Sequence, residues 1–116
     1  RVKHKGFDTD AMVETLDVFP TLCDLAAIEK PNFINGVSLK SILNKQDTIG
    51  HNVLAYKPGA KTLRTKTHRL VLHNDGFVEL YDHRTIENET KNIADEYPDL
   101  VNQLTTELHT KFRNEF

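Results

Sequence analysis

The chain has very little cysteine. Cys23 is the only one among 116 residues, which excludes an internal disulfide and a cysteine-rich zinc site. A single cysteine inside the apolar run 22–25 is most often a small buried hydrophobe. A nucleophilic role would require an activating neighbour, and the sequence assigns none to Cys23.

Long apolar runs and an excess of one charge are also lacking. No stretch approaches the roughly 18–20 apolar residues of a membrane-spanning helix, so we expect no membrane partner. The formal charge of -2 gives no general case for binding nucleic acid. No targeting peptide is visible at Arg1, where the sequence reads as a loop already in progress.

Catalytic signatures are absent as well. The chain contains no G-x-S-x-G elbow, no P-loop and no G-x-G-x-x-G. Its six histidines form neither H-E-x-x-H nor H-x-H, and no pair of carboxylates stands out as an acid–base couple. We therefore predict that this chain by itself contains no catalytic residue and no metal ligand.

The first half of the chain predicts a strand followed by a helix. Residues 12–16 alternate in polarity, Asp17 can cap a helix, and Pro20 lies in a first turn that tolerates proline. A competing interpretation is one helix over 10–27 that is kinked at Pro20. We prefer the strand and helix, because the residue before a proline disfavours the α region. Farther along, Ser38 is expected to cap a short helix.

The second half predicts a small antiparallel sheet and a closing helix. The strand signals fall at 53–56, 62–67, 70–73 and 77–81, with a hairpin turn at 74–76. The helix begins near Pro98 and carries Val101, Leu104, Leu108 and Phe112 at helical spacing. One helix over about four antiparallel strands is an α+β layer packing.

Residues 77–94, FVELYDHRTIENETKNIA, begin with the pattern of a strand and continue as a polar loop. In the strand, Glu79 and Tyr81 fall on one face and Val78 and Leu80 fall on the other. From 82 to 92 charged and amide residues take over. Such a segment predicts a specific connection between the sheet and the closing helix.

Four tracts resemble, in the same order, the C-terminal portion of a type I (formylglycine-dependent) sulfatase. They are VETLDVFPTLCDLA at 13–26, NGVSL at 35–39, LRTKTHRL at 63–70, and ELYD at 79–82 followed by Glu89, Asn92, Ile93 and Ala94. Ala55-Tyr56 makes the resemblance closest to the iduronate-2-sulfatase-like branch. The sequence departs from the family at Ile86-Glu87, where Asp-Pro is usual, and at Ala27, where glycine usually ends the helix.

The resemblance implies that this chain is one portion of a larger, exported enzyme. The family's Cys/Ser-x-Pro/Ala-x-Arg motif, whose first residue becomes formylglycine, does not occur here. Formylglycine, the calcium ion and the catalytic Lys and His motifs are therefore expected in an upstream portion, which is the expected partner of this chain. Residues 1–50 would be the tail of an α/β alkaline-phosphatase-like catalytic domain, and residues 51–116 a C-terminal sheet-plus-helix subdomain.

In such an enzyme this chain would serve as scaffold and as a wall of the cleft for a sulfated carbohydrate. Because sulfated sugars are anionic and the loop 57–61 is short and basic, we expect Lys57 and Lys61 to approach the substrate, with Arg64 behind them. A structural alternative pairs Arg64 with Glu79 or Asp82. Two other functions stay open: a phosphate or phosphonate monoester hydrolase of the same superfamily, and a stand-alone α+β binding module.

Overall fold

The computed structural model describes residues 6–115, which form two compact units divided between His51 and Asn52. Within the described residues, the first unit is helical and the second carries a four-stranded sheet and a long helix. The chain therefore has the predicted α+β fold class. No helix within 6–115 is both long enough and apolar enough to cross a membrane.

The first unit contains helix α1, Val18–Ala26, and the short helix α2, Lys40–Leu43. The strand predicted over 12–16 is wrong, since Met12 forms only an isolated parallel bridge, to Gly50. The alternative of one kinked helix over 10–27 is wrong as well, because α1 begins only at Val18.

Local hydrogen bonds explain why the strand does not form. The amide of Asp17 donates to the Glu14 carbonyl at 3.0 Å, and the amide of Glu14 donates to the Asp17 carboxylate at 2.9 Å. These bonds close a 3-10 turn at Thr15–Asp17 in place of an extended ladder. Helix α1 follows directly, with Pro20 in its first turn as predicted.

Ala27 ends α1 in the left-handed conformation, with φ 55° and ψ 38°. The amide of Ile28 donates to the Cys23 carbonyl at 2.9 Å, which is the longer bond of a Schellman cap. The alanine therefore keeps the cap geometry for which glycine is usual. Its conformational cost relative to glycine is roughly 1–2 kcal/mol.

The second unit is an antiparallel meander in the order β1-β2-β3-β4, as predicted. Its strands are β1, Val53–Lys57; β2, Ala60–Arg64; β3, His68–His73; and β4, Val78–Asp82.

Strand β2 lies about two residues earlier than the predicted 62–67, because a turn limits it on each side. Before it, Pro58 and Gly59 (φ 91°) make a two-residue hairpin connection. After it, the Thr65 hydroxyl accepts the amide of His68 at 2.9 Å and closes the next turn.

Helix α3, Pro98–Glu115, packs on one face of the sheet, as predicted. The core consists mainly of leucines from both layers: Leu63, Leu70, Leu80, Leu104 and Leu108. Burial of each such side chain contributes roughly 1.5–3 kcal/mol. The opposite face of the sheet, which we call the open face, carries polar side chains, including Glu79 and Tyr81, which hydrogen-bond to each other.

Asn92 connects the polar loop to β4. Its side-chain oxygen accepts the amides of Leu80 (2.9 Å) and Ala94 (3.0 Å), and its amide group donates to the Val78 carbonyl at 3.0 Å. The amide of Ile93 adds a bond to the Leu80 carbonyl at 2.9 Å. Residues 92–93, near the end of the segment 77–94, therefore pair with the edge of β4, as a neighbouring strand would.

Candidate functional site

A polar groove crosses the open face of the sheet. Its larger part has a volume of about 350 Å³ and is lined by residues of all four strands, among them Ala55, Lys57, Lys61, Arg69 and His73. A smaller part of about 200 Å³ shares its lining residues Ala55, Thr62, Arg69 and Glu89 with the larger one. We call the two parts together the open-face groove.

Two of the three side chains predicted to contact substrate, Lys57 and Arg64, line this groove, whereas the side chain of Lys61 lies on the opposite face of the sheet, which α3 covers. Lys57 is the exposed last residue of β1, and no side chain within residues 6–115 pairs with it. Lys61 lies with its ammonium 4.0 Å from the centroid of the Phe112 ring, a cation–π contact with α3. Arg64 lines the smaller part of the groove.

Arg64 does not form the ion pair considered from the sequence. Its Nη1 donates to the carbonyls of Thr65 (2.8 Å) and His68 (3.2 Å), so it stabilises the turn between β2 and β3. The two candidate carboxylates have other partners. Glu79 is bound by His73 and Tyr81, and Asp82 is bound by Arg84.

Arg69 lies in both parts of the groove and is held on two sides. Its Nε donates to the Thr62 hydroxyl at 3.2 Å, and its Nη1 lies 3.0 Å from each oxygen of Glu89. His83 contacts the same Glu89 carboxylate at 2.9 Å. Hydrogen bonds from Arg69, and to a smaller extent from His83, hold the pKa of Glu89 below its ordinary value.

Glu79 is the centre of a second group on the open face. The Tyr81 hydroxyl donates to it, and the His73 imidazole lies 2.5 Å from its other oxygen. These bonds, with that of Tyr81 first, lower the pKa of Glu79. The same contact raises the pKa of Tyr81 to about 12, so the phenol keeps its proton at neutral pH.

Asp17 joins three parts of the first unit and is completely buried. Its carboxylate accepts the amides of Glu14 (2.9 Å) and Val37 (2.8 Å) and lies 2.8 Å from Nε2 of His51. Burial alone would raise the pKa of Asp17, but these three partners outweigh it and lower the pKa. Asp17 therefore acts as an ionised structural centre. It does not cap α1 as predicted from its sequence position, because its side chain makes no capping hydrogen bond to that helix.

Gly36 allows the NGVSL tract to reach Asp17. It has φ 90°, and a Cβ built on it would lie 2.2 Å from the carbonyl oxygen of Leu16. Beyond it, the amide of Leu39 donates to the Thr21 hydroxyl at 2.8 Å. The first two sulfatase-like tracts are thus hydrogen-bonded to each other.

A calcium ion does not fit the cluster of ligand-type side chains that the structure describes in the first unit. Glu14, Asp17 and His51 offer atoms within 4.8 Å of one another. Calcium prefers about six to eight oxygen ligands. This group instead includes an imidazole, and the Asp17 oxygens already accept hydrogen bonds from two amides.

Cys23 does not fit the formylglycine motif either. It is buried within α1, and Leu25 and Ala27 stand where that motif has Pro or Ala and Arg. Within residues 6–115 the side chains of the candidate site can bind and orient a ligand. They supply no activated nucleophile.

Comparison with known proteins assigns the family. A family model described as N-sulphoglucosamine sulphohydrolase, C-terminal, matches residues 1–115. The chain belongs to this family. It is thus a sulfatase C-terminal portion, as the resemblance of the four tracts implied.

Relatives of this sulfatase portion are several times longer. Human arylsulfatase K is 25% identical over 122 aligned residues, which cover 90% of this chain and 23% of the relative. A solved 2-O GAG sulfatase is 25% identical, with a TM-score of 0.71 over 87% of this chain and 25% of its own. A structure in complex with its substrate, D-glucosamine-2-N,6-O-disulfate, is 25% identical, with a TM-score of 0.70 over 85% of this chain and 24% of its own. The chain therefore spans about a quarter of the length of these relatives.

Sequence reasoning missed the role of Arg69 in the groove. The alternation of inward and outward residues along β3 could have placed Arg69 on the open face. Arg69 and His73 each lie an odd number of residues from the buried Leu70, so their side chains point to the opposite face. Their contacts with Glu89 and Glu79 depend on a loop and on a neighbouring strand, which the alternation does not specify.

Proposed function

We propose that the complete protein hydrolyses sulfate esters on a carbohydrate, and that this portion is scaffold and one wall of the substrate cleft. The observation that carries the proposal is the family match over residues 1–115. Two relatives, described as a 2-O GAG sulfatase and as a complex with a glucosamine disulfate, support a sulfated sugar as substrate. The Ala55-Tyr56 pair favours the iduronate-2-sulfatase-like branch, and the family favours an exported protein.

The chemistry is assigned to the upstream portion of the same protein. Formylglycine would supply the nucleophile there, and a calcium ion would stabilise the sulfate oxygens. Among residues 6–115, neither Cys23 nor the cluster of Glu14, Asp17 and His51 fits these groups, so the contribution of this portion is to bind and orient the sugar. This portion without the rest of the enzyme is expected to be inactive.

Sulfate-ester and phosphate-ester hydrolysis are distinguished by one assay of the full-length enzyme. A matched pair of aryl esters, 4-nitrophenyl sulfate and 4-nitrophenyl phosphate, is compared together with a sulfated disaccharide. The proposal requires release of sulfate from the disaccharide. Hydrolysis of the phosphate ester alone would support the phosphate or phosphonate hydrolase of the same superfamily.

We propose further that residues 1–50 complete an upstream α/β domain and that residues 51–116 form the C-terminal subdomain. The first unit exposes large apolar side chains, with 82% of Phe33, 63% of Ile28 and 60% of Leu22 accessible. Apolar surface of this kind usually contacts another part of a protein.

Expressed without the upstream portion, the chain is therefore expected to aggregate or to melt without cooperativity. Size-exclusion chromatography and thermal unfolding followed by circular dichroism test this expectation. A monomer with one sharp unfolding transition would instead favour a stand-alone binding module.

Lys57 and Lys61 are proposed to contact the anionic substrate, with Arg64 behind them in a supporting position. In the full-length enzyme, Lys57→Ala is expected to raise KM for a sulfated oligosaccharide about fivefold, because one favourable charge contact of about 1 kcal/mol is lost. Lys61→Ala should have a similar effect, and added salt should reduce both effects.

Lys66→Ala is the matched control for these two variants. It removes the same charge from the exposed turn between β2 and β3, and its KM should stay at the wild-type value. Thermal melting shows whether Lys61→Ala weakens the Phe112 contact. Unchanged KM and kcat in both lysine variants would refute the proposed contact.

A further inference from the structure

We propose that the open-face groove is a subsite for an anionic sugar residue, in which Arg69 binds the charged group of the sugar. The inference rests on the proposed carbohydrate substrate and names the part of the sheet that recognises it. The volume of about 350 Å³ lies within the range of small-ligand sites, and a second part of about 200 Å³ extends it.

Arg69 has the geometry that an anion site requires. Its Nε and Nη1 are fixed by Thr62 and Glu89, so the plane of the guanidinium is set before a ligand arrives. Within residues 6–115, Nη2 has no hydrogen-bond partner. A fixed guanidinium whose Nη2 is still free can donate a charge-assisted hydrogen bond to an oxygen of a sulfate or carboxylate group.

The charges around the groove favour an anion. Lys57, Arg64 and Arg69 outnumber the two carboxylates in the lining of the open-face groove, Glu79 and Glu89. Each carboxylate is also bound by cationic or hydrogen-bond-donating neighbours. The positive charge that is free to bind a ligand is therefore at Lys57 and at Nη2 of Arg69.

The rest of the lining suits a sugar ring better than a small inorganic ion. Ala55 and Ala60 place small side chains between the charged ends, which leaves room for a ring. His73 and Glu79, held by their mutual contact, offer fixed polar atoms beside that space. Fixed polar groups around an apolar patch are typical of small-ligand sites.

Isothermal titration calorimetry on the full-length enzyme tests this inference. The probes are a sulfated tetrasaccharide and the same tetrasaccharide after chemical desulfation. In Arg69→Gln, the Kd for the sulfated probe is expected to rise roughly tenfold, because a charge-assisted hydrogen bond is lost. Arg69→Lys keeps the positive charge but lacks the fixed guanidinium. Its Kd for the sulfated probe should therefore lie between those of the wild type and Arg69→Gln.

Arg84→Gln is the matched control. It also removes an exposed guanidinium from an ion pair, here with Asp82, and Arg84 does not line the groove. This variant should bind like the wild type. The melting temperature of each variant shows whether it is folded, and Arg69→Lys provides the test if Arg69→Gln is not.

Two results would overturn the subsite. In the first, the wild type and a folded Arg69 variant bind the sulfated probe with equal affinity. In the second, the wild type binds the sulfated and the desulfated probe with equal affinity. The sulfate-release assay on the wild type separates this failure from that of the proposed function. An enzyme that releases sulfate but binds independently of Arg69 refutes the subsite alone. Arg69-dependent binding without sulfate release supports the subsite and refutes the proposed function.

Discussion

Replacement of Gly36 by alanine is expected to be the most damaging single change in the first unit. The added Cβ would lie 2.2 Å from the Leu16 carbonyl oxygen and 3.0 Å from the Asp17 nitrogen, and the backbone has φ 90°. The left-handed conformation costs about 1–2 kcal/mol, and relief of the clash adds about 1–3 kcal/mol. The total loss of roughly 2–5 kcal/mol is a large part of the stability of a typical domain.

Gly59→Ala is the control for this prediction. Gly59 has nearly the same φ, 91°, but a Cβ built on it meets open space, with no atom of residues 6–115 within 4 Å. Soluble yield and apparent Tm of the full-length enzyme should fall much further for Gly36→Ala. Similar losses in the two variants would show that the close approach to Leu16 does not limit this position.

Asp17→Asn is expected to have the second-largest effect. An asparagine of the same shape can present only one acceptor, whereas the carboxylate is approached by the amides of Glu14 and Val37 and by His51. A buried donor without its acceptor costs about 1–3 kcal/mol, and the loss of the charge-assisted bonds brings the expected total to roughly 2–4 kcal/mol.

The comparison variant is Asp24→Asn, in the same helix. Asp24 bonds to Ser38 and Lys40 at the surface, where solvent weakens such pairs. Thermal unfolding of the full-length enzyme should show a clearly lower Tm for Asp17→Asn than for Asp24→Asn. The role of Asp17 would be contradicted if its variant were the more stable of the two.

The depressed pKa of Asp17 also fixes the sign of its pH dependence. A carboxyl whose folded pKa lies below its unfolded value of 3.8 stabilises the fold above that value. The contribution is lost as the pH falls through the folded pKa. In acid unfolding below about pH 4, the difference in unfolding free energy between wild type and Asp17→Asn should therefore shrink.

Much of the second unit could be predicted from the sequence, because its signals are local and agree with one another. Three local features indicate the same arrangement, a helix packed on an antiparallel sheet. They are the hairpin glycine Gly76, the alternation of inward-facing and outward-facing residues in β4, and the helical spacing of apolar residues in α3. The first unit was harder. There the polarity of residues 12–16 alternates as it does in a strand. The Glu14 amide nevertheless donates to the Asp17 carboxylate, and this hydrogen bond turns the chain.

The candidate site was predictable only in part. A basic loop pointed to Lys57 and Lys61; the side chain of Lys57 lines the open-face groove, whereas that of Lys61 contacts Phe112 on the face covered by α3. The structural alternative that paired Arg64 with a carboxylate is wrong, because Arg64 donates instead to nearby carbonyl groups in its own turn. The role of Arg69 depends on Glu89, which is 20 residues away along the chain and lies in an irregular loop. The hydrophobic periodicity of the sequence does not predict a contact of this kind.

Peptide mass mapping of the active full-length enzyme tests the central claim most directly. The claim is that this portion binds and supports, while the nucleophile lies upstream. The account predicts that Cys23 remains an unmodified thiol and that formylglycine occurs at a Cys/Ser-x-Pro/Ala-x-Arg motif outside residues 1–116. Formylglycine at Cys23, or sulfatase activity in an enzyme with no formylglycine at all, would contradict it.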